Sequence, residues 1–355
     1  MSCNPQKRKS KKIVVAMSGG VDSSVVAAML KQDGLDVRGV FMATAQPDQA
    51  ARIESVKKIA ALLDIQLDVV DLADDFENKI LSYFTSSYLK GITPNPCVVC
   101  NSKIKFGTFM ERACTNETRL MATGHYARIV QDPEGHFRLF KGFDPGKDQS
   151  YFLSGLTGEQ LSRICFPLGE YNKKEVCKLA EKFGLPDFPE GESQDVCFLK
   201  DNNVRDFLKT RTGKGQSKGS IVTMSGREIG RHDGIYGFTI GQRRGLAVPD
   251  ATPYYVVRLD TNGNKVVVGK KQDLWQDHLL TRNVNWISGR CPGMPYSCNV
   301  KIRYRDNEAR AVVDHGPDNM FQVKFSKCRL AVTPGQFAVF YNQDEVIGMG
   351  EIVSD

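Results

Sequence analysis

The chain has 355 residues, is 41% hydrophobic and 25% charged, and carries a net charge of +7. That length is enough for two or three domains, the composition is that of a soluble globular protein, and no apolar run reaches membrane-spanning length. Ten cysteines lie scattered at positions 3, 97, 100, 114, 165, 177, 197, 291, 298 and 328, which argues against a secreted disulfide scaffold. Residues 1–12 have no apolar signal core, so a cytoplasmic protein without a membrane partner is expected. Residues 204–355 hold 22 basic and 15 acidic residues, which accounts for the whole charge excess. A polyanion footprint and an ordinary solvated surface both fit that bias.

Lys7-Arg8-Lys9 and Lys11-Lys12 form a short basic tail. Ile13-Val14-Val15 then reads as a buried parallel strand, and residues 25–30 read as a helix ending at Gly34. Between them runs Ala16-Met17-Ser18-Gly19-Gly20-Val21-Asp22-Ser23-Ser24. Glycines let such a turn wrap an anion, and the helix start presents free N–H groups and a positive dipole end. A tight strand-to-helix turn is the plainer reading of Gly-Gly alone. Asp22 either caps the helix or helps hold Mg²⁺, and the second is favoured.

Strands at 36–42 and 66–70 flank a helical stretch at 50–63, and this alternation implies a right-handed parallel sheet covered by helices. Helical spacing returns at 76–89. Pro94 and Pro96 then predict an extended, non-helical loop carrying Cys97 and Cys100, with helix resuming at 103–113. A strand at 120–123 leads to Gly124-His125-Tyr126. Residues 127–141 predict a hairpin turning at Asp132-Pro133-Glu134-Gly135, followed by helices at 158–164 and 173–183. Ser193-Gln194-Asp195-Val196-Cys197-Phe198 closes the first domain. Residues 209–220 read as a mobile basic loop. Short alternating segments at 266–269, 299–305, 310–313, 320–325, 336–341 and 346–352 predict small β-barrels. The expected division is 1–203, 204–273 and 274–355.

The loop lacks the spacing of a Walker or dinucleotide motif. Ser-Gly-Gly-x-Asp-Ser resembles the pyrophosphate-binding loop of the ATP pyrophosphatases, which split ATP to AMP and pyrophosphate while activating a carbonyl oxygen. A thiolate is a soft nucleophile that can carry a second sulfur as a persulfide, and a second thiol can discharge it by closing a disulfide. Adenylation plus two reactive thiols is what replacing a carbonyl oxygen by sulfur requires.

Further segments narrow the resemblance. Thr93-Pro94-Asn95-Pro96, Gly124-His125-Tyr126-Ala127, Lys147-Asp148-Gln149-Ser150-Tyr151-Phe152-Leu153, the Ser193 segment, Thr239-Ile240-Gly241-Gln242-Arg243-Arg244-Gly245 and Val300-Lys301-Ile302-Arg303-Tyr304-Arg305 are similar to those of the bacterial tRNA-specific 2-thiouridylases. The resemblance implies an ATP pyrophosphatase domain, a small central β domain and a C-terminal β-barrel. It implies ATP-dependent thiolation of the wobble uridine of tRNA, with Mg²⁺ and a persulfide donor such as a cysteine desulfurase or sulfur-relay protein. By resemblance, Ala16, Met17, Ser18, Gly19, Gly20, Val21, Asp22, Ser23, Met42 and Gly124 bind ATP. Cys100 matches the nucleophile and Cys197 the persulfide carrier. Asn95, Pro96 and Cys97 match the target-base contact. His125, Lys147, Asp148, Gln149, Arg303, Tyr304 and Gln336 match tRNA contacts. Many members carry Asp where this chain has Cys97. Cys97, Cys100 and Cys197 together could hold a [4Fe–4S] cluster with one open iron, but the persulfide route is favoured, and zinc lacks a fourth ligand. The remaining cysteines read as packing or incidental residues. The rival readings are another ATP-dependent ligase or amidotransferase and a non-catalytic iron–sulfur or RNA-binding protein.

Overall fold

A computed structural model describes residues 12–44, 46, 48–115, 118–188, 196–199, 203–212 and 217–354. Five strands form a parallel sheet. They are β1 (Lys12–Ala16), β2 (Asp36–Ala43), β3 (Gln66–Asp71), β4 (Met121–Ala122) and, after the hairpin β5 (Ala127–Gln131) and β6 (Phe137–Lys141), β7 (Ile164–Cys165). Their order is β3-β2-β1-β4-β7, and every pairing is parallel. From Ile13 onward β1 is apolar because both faces are covered. Val14 packs with Phe76, Phe106 and Met121 on one side, while Ile13 and Val15 pack with Val25, Val56 and Val176 on the other. The order reverses beside β1, so the crevice between the carboxyl ends of β1 and β4 is where such a sheet takes a ligand.

β8 (Gly219–Thr223), β9 (Glu228–His232), β10 (Tyr255–Asp260) and β11 (Lys265–Gly269) form a second sheet in the order β10-β11-β8-β9. β12 (Trp275–Trp286), β13 (Tyr296–Lys301), β14 (Ala309–His315), β15 (Phe321–Leu330), β16 (Phe337–Asn342) and β17 (Glu345–Val353) form the third. Pairing of β12 with both β15 and β17 closes these six into an antiparallel barrel. The β5–β6 hairpin joins the same sheet through β6, with Leu139 opposite Val346. The hairpin thus welds the first domain to the last.

Several sequence expectations change. Pro94 and Pro96 do not exclude helix: Pro96 occupies the first turn of a helix Pro96–Cys100, where the missing N–H costs nothing. The stretch 209–220 is not one loop, because Val204–Thr212 is helical and Gly219 begins β8. The short edge strand β7 lies where helix was expected to run on, since the helix there stops at Ser162. β13 ends at Lys301, so Arg303 and Tyr304 lie beyond it. The long strand β12 has no counterpart in the expected pattern; its polar sequence WQDHLLTRNVNW conceals the alternation. The basic tail through Lys11 and Ser193, Gln194 and Asp195 lie outside the described residues.

Candidate active site

The Ser/Gly loop sits at the carboxyl end of β1 and runs into the helix Val21–Gln32. Gly19 has φ +84, a conformation that side-chain-bearing residues rarely adopt. The hydroxyls organise the turn: Ser18 N donates to Ser23 Oγ (3.1 Å), and Ser23 Oγ and Ser24 Oγ donate to Gly20 O (3.1 and 2.9 Å). No side chain caps the helix, so its first N–H groups remain available to an anion. Asp22 is not the cap. Its Oδ1 accepts from Tyr126 Oη and from Lys173 Nζ, both at 2.7 Å. Gly124, at the end of β4, lies against this loop; a Cβ there would fall 2.9 Å from Asp22 C and Ser23 N.

The thiols stand on the other side of β4. Asn95 Oδ1 caps the helix Pro96–Cys100 by accepting from Val98 N (3.3 Å). Cys97 and Cys100 share a face of this helix, three residues apart. The chain then winds into a π-helical stretch, Asn101–Phe109, which is kinked by non-helical backbone at Gly107; such winding usually lasts one turn and clusters at functional sites. Gln160 supports it by donating to the carbonyls of Ser102 and Phe106, both at 2.9 Å. Lys105 follows Cys100 by five residues, which is one repeat of π-helical hydrogen bonding.

Lys105 Nζ lies 3.2 Å from His125 Nε2, and Thr123 Oγ1 lies 2.5 Å from His125 Nδ1. An ammonium only donates, so Nε2 accepts and Nδ1 carries the proton to Thr123. The ring sits between Phe106 and Phe166, with centroids 5.6 and 5.5 Å away. Burial, and then the Lys105 charge, hold the imidazole well below its usual pKa, so it is neutral at pH 7. His125, half-buried, thus contacts the lysine whose charge acts on the thiols.

Cys97 and Cys100 are half-buried and Cys197 is exposed; all three are free thiols. Phe198 anchors the Cys197 segment edge-on against Phe76 and Phe84, at 5.8 and 5.0 Å. Gln46 Nε2 donates to Cys197 Sγ at 3.0 Å. Burial pushes the Cys97 thiol up to about 11 and the Cys100 thiol up to about 12. Cys197 reaches solvent yet stands in a cleft, and that desolvation raises it too. Lys105 pulls all three down, and a charge on Cys197 pushes Cys97 and Cys100 up. The three thiols and this ammonium thus share one electrostatic neighbourhood. Among the other described cysteines, Cys165 and Cys298 are buried, Cys114 is half-buried, and Cys177, Cys291 and Cys328 are exposed.

The expected RNA contacts divide. Asp148 spends its carboxylate on Gly142 N, Ser150 N and Ser150 Oγ, and Gln149 Oε1 accepts from Tyr126 N. Both hold the segment that carries Lys147. Gln336 Nε2 donates to the carbonyls of Thr93 and Pro94 at 2.9 and 3.2 Å, and Thr93 Oγ1 meets Thr239 Oγ1 at 3.3 Å. The residues before the thiol helix are therefore pinned by the barrel and the middle sheet together. Arg303 donates to Leu330 O (3.0 Å), and Tyr304 lies against Phe152 at 4.4 Å with Lys301 over its ring. Met42 lies at the carboxyl end of β2, half-buried. Lys105, Lys173, Gln46 and Thr123 belong to no motif legible in the sequence; the only local signal is the five-residue step from Cys100 to Lys105.

A parallel sheet with a Ser/Gly phosphate loop at its switch point, coupled to two β modules, defines an enzyme of the ATP pyrophosphatase class. The tRNA methyl transferase HUP domain family matches residues 11–201, the tRNA methyl transferase PRC-barrel domain 205–270 and the aminomethyltransferase β-barrel domain 276–352. The chain is 43% identical to a tRNA-specific 2-thiouridylase MnmA from Desulfotalea psychrophila over 96% of its own length and 98% of that protein. It is 43% identical to one from Syntrophotalea carbinolica, over 98% and 99%. It is 41% identical to one from Geobacter metallireducens, over 98% of each. The chain belongs to the tRNA-specific 2-thiouridylase family. No helix among the described residues is long and apolar enough to cross a membrane.

Proposed function

We propose that this chain replaces the C2 oxygen of the tRNA wobble uridine by sulfur, using MgATP and a persulfide carried on Cys197. The carrying observation is β4's end: Gly124 abuts the phosphate loop, and the next residue, His125, meets the lysine that stands among the thiols. Phosphate chemistry and sulfur chemistry therefore share one crevice. Residues 204–273 and 274–355 hold the tRNA, supported by the charge excess confined to them, with Lys147, Arg303 and Tyr304 near its path. The wobble base leaves its stack and enters beside Asn95, Pro96 and Cys97.

Uracil O2 attacks the α-phosphorus; the bond to the β-phosphate breaks and pyrophosphate leaves. The terminal persulfide sulfur then attacks C2, and AMP departs with the old oxygen. The Cys100 thiolate attacks Cys197 Sγ, and the electron pair of the broken S–S bond goes to the uridine sulfur, forming C=S. Cys100 and Cys197 remain as a disulfide, which a dithiol reductant resets. Disulfide formation needs Cα atoms within about 6 Å, so the Cys197 segment must approach the helix. The sulfur donor is a persulfide-bearing desulfurase or relay protein, and the cytoplasm supplies the tRNA and reductant.

A second reading draws on the same thiols. Three soft sulfur donors within electrostatic reach of one another suit a [4Fe–4S] cluster on Cys97, Cys100 and Cys197, whose open iron would supply a sulfide-carrying position. The test of the function itself is mass spectrometry of tRNA nucleosides after incubation with MgATP and a persulfide donor. 2-Thiouridine is expected, and its absence with active donor overturns the reading.

A further inference from the structure

The thiol helix carries one sulfur more than the transfer uses. Cys197 holds the incoming sulfur and Cys100 closes on it, which leaves the Cys97 thiol without a redox part. Yet Cys97 and Cys100 occupy the second and last positions of one helix, Pro96–Cys100. Ideal helical geometry puts their Cα atoms about 5 Å apart, inside the disulfide range of roughly 4.4–6.8 Å. Their Cβ atoms stand about 5–6 Å apart on such a helix, so a bond draws them in by about 1–2 Å. The first turn, whose N–H groups have no helical partners, has that much give. Asn95 holds its entry, and buried Val98 seats it in the core between the two sulfurs.

Cys197 is placed differently. It is exposed and lies on a separate segment, so a Cys100–Cys197 bond ties two segments together, whereas a Cys97–Cys100 bond stays within one helix. Gln46 Nε2 donates to Cys197 Sγ at 3.0 Å, and Arg52 Nη1 donates to Gln46 Oε1 at 2.8 Å. A guanidinium only donates, so Arg52 decides which end of the amide meets the sulfur. A thiolate released at Cys197 therefore has an N–H donor already aimed at it, and such a donor favours the anion.

We propose that Cys97 is an internal resolving thiol, which converts the Cys100–Cys197 disulfide left by sulfur transfer into a Cys97–Cys100 disulfide and frees Cys197 for the next sulfur. This rests on the persulfide reading above and extends it. Cys97 releases its proton to solvent, and its thiolate attacks Cys100 Sγ. The Cys97–Cys100 bond forms as the Cys100–Cys197 bond breaks, and the electron pair leaves on Cys197 Sγ, which takes up a proton. One disulfide replaces another, so the exchange itself consumes neither oxidant nor reductant. A dithiol reductant then passes its electrons and protons to Cys97–Cys100 and is itself closed to a disulfide. The carrier thus becomes free to meet its donor before the reductant has acted.

The test is one round of thiolation by the full-length chain. The protein is loaded with glutathione persulfide, desalted, and given MgATP and a tRNA transcript without reductant. Samples quenched over time are alkylated with iodoacetamide and read by mass spectrometry of unreduced peptides. Cys100–Cys197 should appear first and give way to Cys97–Cys100, seen as a single unalkylated peptide spanning residues 91–103. Alkylation of Cys197 should then return to the level of exposed Cys177. Cys97→Ser should stop at Cys100–Cys197, with Cys197 unalkylated until a dithiol is added. Wild-type protein that stops at Cys100–Cys197 with Cys97 alkylated overturns the proposal, and so does a Cys97→Ser variant that frees Cys197 without a dithiol. Failure of the thiolation reading appears instead as absent 2-thiouridine. Oxidation of unloaded protein by an equivalent of diamide then decides the exchange alone, Cys97–Cys100 upholding it and Cys100–Cys197 overturning it.

Discussion

Lys105→Gln probes the electrostatics of the thiol cluster. Burial lifts Cys100 from 9.0 to about 12 and Cys97 from 9.0 to about 11, with Lys105 opposing both shifts. Below pH 9, three units cost Cys100 about a thousandfold in thiolate. The more basic thiolate is intrinsically more reactive by about twentyfold at a Brønsted slope near 0.45. The net expectation is iodoacetamide labelling about fiftyfold slower than an unperturbed thiol for Cys100 and about tenfold slower for Cys97. Both rates should climb about tenfold per pH unit between pH 7 and 10. Removing the ammonium should raise both thiols and slow labelling further, while Lys105→Arg should hold the wild-type rate. Peptide mass spectrometry of nucleotide-free protein, with exposed Cys177 as internal reference, reads all of this. Labelling of Cys100 as fast as Cys177 at pH 7, or unchanged in Lys105→Gln, refutes the reasoning. The sign extends to stability. The unfolded thiols ionise near 9.0 and the folded ones only near 11 and 12, so these groups weaken the fold as pH rises above 9.

Gln336→Ala removes two hydrogen bonds to Thr93 and Pro94, a loss of about 2 kcal/mol. Melting should fall by about 5 °C, with faster amide exchange across residues 92–100; an unchanged melting temperature would mean the clamp is idle. Cys197→Ser should abolish thiolation from a persulfide donor yet keep tRNA-dependent pyrophosphate release, and Cys97→Ala should be mild. Iron in anaerobically purified protein, with all three cysteine variants severe, would favour the cluster instead. Neutralising Lys301 together with Arg303 should reduce the log–log salt slope of tRNA binding by roughly one unit for each phosphate that is no longer neutralised; an unaltered slope in a salt titration removes that segment from the interface. Gly124→Ala places a Cβ 2.9 Å from the backbone of Asp22 and Ser23, so MgATP affinity should drop at least tenfold, and wild-type affinity would contradict the close approach.

Local signals carried the first half of this fold. An apolar β1, a Gly-rich turn and an apolar helix announce a parallel sheet because each is set by neighbours in sequence. Non-local pairing was not legible: the β5–β6 hairpin was expected, but nothing in it says that β6 will pair with β17, some two hundred residues on. Pro96 misleads because a proline breaks a helix from inside and starts one from its first turn; only Asn95, a residue suited to capping, hinted at the second. Cys97, Cys100 and Cys197 stood out by residue type. Lys105 and Lys173 did not, since a lysine in a helical stretch is ordinarily a solvated one.

The thiol helix shows why such cations matter more than their number suggests. Its start is held by Gln336 and, through Thr93, by Thr239, so the barrel and the middle module both reach the residues just before Cys97. Its far end passes Lys105 to His125, which follows Gly124 on the phosphate loop. Burial alone would leave Cys97 and Cys100 as unreactive thiols, and negative charge from an adenylate nearby would raise them further. A cation one π-turn from Cys100 opposes both effects. The π-helical winding is therefore more than a local irregularity: with α-helical winding, five residues would turn Lys105 about 140° away from Cys100, and the thiols would lose the charge that lowers them.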